Sequence, residues 1–249
     1  MNKSETTHFG FNEIETDQKA AAVQTVFSSV AANYDLMNDL MSGGVHRIWK
    51  AALIDWIIPK AGEQYLDVAG GTGDIANAIR HAQGGPNVEG KVIIADLTQA
   101  MLDEGAKRFA GRTDLEWVCA DAEALPFDDN TFDVYTISFG LRNVARPAQA
   151  LAEAHRVLKP GGRFFCLEFS RVVIPVFDRI YDAYSFNVIP ALGGLIANDR
   201  DSYQYLVESI RRFPNQSHLE DMMRTNGFKR VTHRNCSGGI AAIHKGVKI

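Results

Sequence analysis

The chain has 249 residues, 46% of them hydrophobic and 22% charged, with 21 glycines, 8 prolines and a net charge of −4. A chain of this length buries enough apolar surface to fold without disulfides or a structural metal. Its composition excludes a disordered chain, a collagen and a coiled coil. The acidic balance lacks the basic field with which nucleic-acid binders neutralise phosphates, so no nucleic-acid partner is expected.

The three cysteines, Cys119, Cys166 and Cys236, form no CxxC pair and lie in apolar runs. They read as reduced, buried thiols in a cytoplasmic protein. The seven histidines show no ligand spacing, so no metal site is expected. The start, MNKSETTHFGFNEIETD, lacks the apolar stretch of a signal peptide. No run of about 18 uncharged apolar residues is present, so no bilayer-spanning segment is expected.

In chain order, residues 1 to about 17 are polar and expected to be mobile. Ala22, Val26, Val30 and Tyr34 recur every four residues and predict a helix, broken at Ser42-Gly43-Gly44. A second helix is predicted from about Val45 to Ile58, stopped by Pro59; together these make an N-terminal helical cover over 18–58. Short apolar runs then alternate with helical patterns. Strands are expected at 65–69, 92–95, 115–119, 132–138 and 164–169. Helices are expected at 74–81, from an N-cap at Thr98 to about Ala110, and at 146–158 before a Lys159-Pro160-Gly161-Gly162 stop. This alternation predicts an α/β fold: a mostly parallel sheet with helices on both faces. Lys229 to His244 reads as a closing antiparallel hairpin around Ser237-Gly238-Gly239. No linker or repeat divides the chain, so 1–249 is expected to form one domain.

In such sheets ligands bind beyond the carboxyl ends of the strands, at the switch point in strand order. There the sequence places Asp67-Val68-Ala69-Gly70-Gly71-Thr72-Gly73-Asp74, a glycine turn whose amides favour an anionic group. Asp96 ends the second strand and suits ribose hydroxyls. Asp121 ends the third; its carboxylate, beside the Ala122 amide, suits an adenine. Two cofactor classes share this pattern. Gly71 to Ala76 fits the G-x-G-x-x-A dinucleotide fingerprint with Asp96 twenty residues on. S-adenosylmethionine (SAM) uses the same geometry. It is favoured by the acid at Asp121 and by the lack of a second βαβαβ half. A nicotinamide-dependent oxidoreductase stays as the alternative, and a non-catalytic cofactor-binding subunit as another.

The segments LDVAGGTGD, DAEALPF, NTFDVYTISFGLRNV, RVLKPGGRFFCLEFS, YDAYSF and NDRDSYQYLVESIR strongly resemble the UbiE family, the C-methyltransferases of ubiquinone and menaquinone biosynthesis. The match runs from near His8 to the carboxyl end. It implies a class I methyltransferase fold, with a seven-stranded sheet, that transfers a methyl group from SAM to a ring carbon of a polyprenylated quinol. The substrate would be 2-methoxy-6-polyprenyl-1,4-benzoquinol, demethylmenaquinol or both. It implies SAM contacts at Thr72, Asp96, Asp121, Ala122 and Ser138, beside Gly71 of the turn. Ala69 stands where a glycine is usual, and Asp121 where many members carry Asn.

A ring carbon becomes a strong nucleophile when a quinol hydroxyl loses its proton. Arg142 and Asn143, after the fourth strand, are the expected catalytic pair: Arg142 to stabilise an oxyanion or hold a relay water, Asn143 to orient a hydroxyl. The bland alternatives are an Arg142 ion pair with an acid such as Glu153 and a helix-capping Asn143. Glu168 ends the fifth strand as a further acid at the rim. Tyr34 is a candidate cover for the cofactor, and Tyr181, Tyr184 and Tyr203 are lid candidates. Residues 172–197 are unusually apolar, so 171–212 is expected to be a lid with room for a prenyl tail. The same surface admits weak peripheral contact at the inner face of the membrane, a quinone-biosynthesis assembly or a homo-oligomer.

Overall fold

The computed structural model describes residues 6–30, 39, 42–173 and 200–249. The segment expected to be loose contains a hairpin: β1 (Thr6–Phe9) pairs antiparallel with β2 (Asn12–Glu15). Its turn needs Gly10, whose φ is +60°. Helix α1 (Thr16–Val30) follows, then α2 (His46–Ile57). Tyr34 and residues 174–199, including Tyr181, Tyr184 and most of the expected lid, lie outside the described residues.

The expected strands form one sheet. β3 (Tyr65–Val68), α3 (Asp74–Ala82), β4 (Val92–Asp96), α4 (Gln99–Arg108), β5 (Leu115–Cys119) and β6 (Phe132–Ser138) alternate along the chain. A 3₁₀ turn (Leu141–Asn143), α5 (Pro147–Val157) and β7 (Leu158–Phe169) follow. Then come α6 (Arg200–Arg212), α7 (Gln216–Thr225), β8 (Lys229–Cys236) and β9 (Ala241–Val247). Strand order is β5-β4-β3-β6-β7-β9-β8. The first five of these are parallel; β9 is antiparallel to both β7 and β8.

Residue alternation along the strands builds two cores. Tyr65, Val92, Val134 and Phe165 face α2, α3 and α6, and pack against Leu53, Ile57, Ile79 and Leu206. Leu66, Tyr135, Phe164 and Cys166 face the other way, toward Leu151 and Ala154 of α5 and Met223 of α7. All four residues of β3 are buried, because that strand has a neighbour on each edge and helices on each face.

Several local expectations are corrected. Thr98 sits at the N-cap of α4 in an extended conformation, but its side chain makes no capping bond. Asp96 Oδ1 instead accepts the Thr98 amide at 2.8 Å. Lys159-Pro160-Gly161-Gly162 does not separate helix from strand: β7 begins directly at Leu158, which pairs with Phe132 before a register shift. Cys166 is buried, whereas Cys119 is exposed at the end of the edge strand β5 and Cys236 is half-buried. The 216–225 helix, capped by the Asn215 side chain on the His218 amide, has no counterpart in the sequence reading.

Candidate active site

From β3 the chain steps outward to β4 and β5, then returns to place β6 on the other side. The crevice above β3 is therefore the switch point. A concave cavity opens there, lined mostly by apolar side chains with a few polar groups, as small-molecule sites are. Gly71, Asp96, Asp121, Ala122 and Asn143 all line it. Thr72, Ser138 and Arg142 are not among its lining residues. Thr72 is buried, and its carbonyl lies toward Gly105 of α4.

The glycine turn is largely satisfied by the chain itself. Gly70 N donates to Ala95 O at 3.2 Å, Gly73 N to Gly70 O at 2.9 Å, and Gly71 N to Asp96 Oδ2 at 2.9 Å. The amides of Gly70, Gly71 and Gly73 are thus engaged within the chain, while Asp96 and Asp121 line the cavity. Asp96 and Asp121 are adjacent because β4 and β5 are: Ala120 N donates to Asp96 O at 3.0 Å, one residue before Asp121. Asp121 Oδ1 accepts the Glu123 amide at 2.9 Å, which fixes the turn that presents Ala122. Burial raises the Asp96 carboxyl above its ordinary range, opposed by the amides of Thr98 and Gly71.

Close packing explains the glycines. A Cβ on Gly71 would lie 2.9 Å from Met101 Cε, and one on Gly140 would lie 2.3 Å from Ala69 Cβ. Ala69 and Phe139, at the ends of the adjacent strands β3 and β6, hold φ at +50° and +56°. Strain of this kind collects where backbone must be aimed at a ligand. Behind the turn Asp67 is fully buried. Its Oδ1 accepts from Thr136 Oγ1 at 2.7 Å, and its Oδ2 has no partner among the described residues. Burial pushes its carboxyl up to about 7.

The fastenings of the cover leave no mark in the sequence. α1 contributes Ala20, Val23 and Phe27 to the cavity wall. It is pinned on one rim by Gln24 Nε2 donating to Leu97 O at 2.7 Å, and on the other by Lys19 Nζ donating to Val144 O at 2.9 Å. Lys19 is 6% exposed, and its burial lowers the ammonium to about 8 against the attraction of Glu123. Glu123 in turn accepts from the Arg146 amide at 2.7 Å. Helical periodicity marks such polar residues only as surface.

Arg142 pairs with Glu168, not Glu153. Its Nη1 lies 2.6 Å from Glu168 Oε1 and also donates to Phe139 O at 2.6 Å, with both side chains 1% exposed. Glu153 instead accepts from the Leu125 amide and Arg156. Burial raises the Glu168 carboxyl, and the guanidinium pulls it back. Asn143 caps no helix; its Oδ1 accepts from Tyr205 Oη at 3.0 Å. Tyr203 is fully buried in α6.

The chain belongs to the ubiE/COQ5 methyltransferase family. The family model matches residues 15–248. The chain is 55% identical over 247 residues to the ubiquinone/menaquinone biosynthesis C-methyltransferase UbiE of Dinoroseobacter shibae, covering 98% of this chain and 97% of that protein. It is 57% identical over 246 residues to the UbiE of Paracoccus denitrificans, with the same coverage. Among solved structures, an S-adenosylmethionine-dependent methyltransferase from Thermotoga maritima superimposes with a TM-score of 0.64 at 18% identity, over 91% of this chain and all of that one. The fold is that of class I methyltransferases, and SAM is the cofactor of this family. The nicotinamide alternative finds no support: β9 and β8 close the sheet antiparallel where a second dinucleotide half would continue it in parallel.

Proposed function

We propose that the protein methylates a ring carbon of a polyprenylated quinol in ubiquinone/menaquinone biosynthesis. The substrate is 2-methoxy-6-polyprenyl-1,4-benzoquinol, demethylmenaquinol or both. The observation that carries this reading is that one cavity is lined both by the nucleoside-type acids Asp96 and Asp121 and by Asn143, so donor and acceptor share a chamber. The names of the full-length relatives support it.

The cofactor fits the residues present. Asp96 offers a carboxylate to ribose hydroxyls, Asp121 and the backbone at Ala122 flank the adenine position, and Gly71 takes the φ of +53° that the turn beside them requires. When bound, SAM supplies an electrophilic methyl group on a sulfonium. Apolar neighbours such as Val68, Leu97 and Phe139 exclude water from the chamber. Asn143 contacts a quinol oxygen and holds the ring carbon in line. Arg142 acts from behind: it ties Phe139 O and Glu168 together and so fixes the turn that presents Asn143. Its Nε has no partner among the described residues. Thr72 of the turn and Ser138 at the end of β6 are further contacts for the donor, and the Ser138 hydroxyl has no partner among the described residues. A lipid substrate arrives by weak peripheral contact with a membrane; among the described residues no helix is long and apolar enough to cross one.

The test is turnover of the purified full chain with carbon-13-methyl SAM and short-chain quinols of both classes. Label on a ring carbon supports the reading. Label on oxygen, or no transfer to either class, overturns it.

A further inference from the structure

Tyr205, in α6, is 4% exposed, and its hydroxyl donates to Asn143 Oδ1 at 3.0 Å. Burial keeps the proton on the phenol by raising its pKa. The ring is clamped from outside the site. Phe9 of the N-terminal hairpin stacks on it with centroids 4.1 Å apart and planes 20° apart. The hairpin's turn donates the Phe11 amide to Glu208 Oε2 at 3.0 Å, three residues beyond Tyr205 in α6. An asparagine amide has an accepting end and a donating end. With Oδ1 engaged by a donor, Nδ2 is the end left for other partners. Its contact with Phe139 O is long, 3.4 Å, and that carbonyl already receives Arg142 Nη1 at 2.6 Å.

We propose that Tyr205 is a positioning residue that holds Asn143 with its amide N–H, not its carbonyl, available to the quinol oxygen in the cavity. This rests on the reading of Asn143 as a substrate contact. The orientation decides the chemistry. An N–H strengthens its bond as negative charge builds on a phenolate oxygen, whereas a carbonyl would repel that charge and favour the protonated hydroxyl. The hairpin thereby gains a role: it braces Tyr205 and, through it, the amide.

The experiment is a double-mutant cycle on the full chain, with SAM and a short-chain quinol, reading kcat, KM for the quinol and the Kd of S-adenosylhomocysteine (SAH). Asn143→Ala is expected to lower kcat about 100-fold, the scale for loss of one oxyanion donor. Tyr205→Phe, which keeps the ring and its stack, is expected to lower kcat about tenfold with SAH affinity unchanged, a loss of the size seen between residues in contact. Added to Asn143→Ala, it should cause no further loss. If Asn143→Ala fails to bind SAH, Asn143→Ser takes its place in the cycle. Wild-type kcat in Tyr205→Phe, or the same tenfold loss with and without Asn143, overturns the positioning role and leaves the reading of Asn143 standing. Wild-type kcat in Asn143→Ala overturns both.

Discussion

Arg142 and Glu168 form a buried ion pair, Nη1 to Oε1 2.6 Å, between the turn after β6 and the end of β7. The Arg142 amide approaches the other carboxylate oxygen at 3.3 Å, so Glu168 grips both the backbone and the side chain of the turn. Removing one partner leaves a buried charge uncompensated, which costs about 3–5 kcal/mol. Glu168→Gln is therefore expected to lower unfolding stability by about 3 kcal/mol in urea titrations, and to lower kcat more than it weakens SAH binding. Unchanged kcat with lowered stability would make the pair structural alone.

Gly140 and Ala69 are matched. A Cβ at 140 would lie 2.3 Å from Ala69 Cβ, far inside van der Waals contact. Gly140→Ala is expected to abolish measurable SAH binding and to destabilise the protein by about 1–3 kcal/mol, the usual range for overpacking. Ala69→Gly in the same chain removes the colliding atom and should restore binding. Calorimetric titration of the single and double variants checks both statements.

Asp67 makes stability depend on pH. Its carboxyl is raised from 3.8 to about 7 in the folded protein. Between those values the folded state holds a proton that the unfolded state has released, so this contribution to stability is full below about pH 4 and declines as pH rises to about 7. Above pH 7 it is flat. Relative to Asp67→Asn, the wild type should lose up to about 4 kcal/mol across that window. Parallel stability curves for the two proteins would contradict the assignment.

Lys19 and Gln24 hold α1 over the cavity from opposite rims. Lys19→Met keeps the buried stem and removes the ammonium that reaches Val144 O. It is expected to weaken SAH binding about tenfold, because the wall formed by Val23 and Phe27 loosens; a hydrogen bond from a charged group contributes about 1.5–3 kcal/mol. Pairing it with Gln24→Ala should add to the loss, since the two fastenings share no partner.

The strand at 132–138 is legible to the residue, because a buried parallel strand shows as a short apolar run between turn signals; the edge strand at 115–119 is legible from the same short run although only Leu115 is buried. The acids Asp96 and Asp121 were legible for the same reason: strand ends announce the ligand edge. The β1–β2 hairpin was not, since its four-residue strands carry mainly polar side chains and only Phe9 and Ile14 hint at a buried face. Nor was the partner of Arg142. Glu153 and Glu168 both follow it in sequence, and only the pairing of Ser138 with Leu167 brings position 168 beside it. Lys19, Gln24 and Tyr205 were invisible as site residues because their roles arise where helices meet strands distant in sequence.

The proposed site places the adenosyl donor over the ends of β3 and β4, between Asp96 and Asp121. Equilibrium titration of SAH and of NADH into the wild type, Asp96→Ala and Asp121→Ala tests it most directly. The account predicts SAH binding to the wild type that weakens about 10- to 100-fold in Asp96→Ala, the scale for removing a charged hydrogen-bond acceptor, a smaller loss in Asp121→Ala, and no NADH binding. SAH affinity unchanged in both variants, or tight NADH binding with none for SAH, would contradict it.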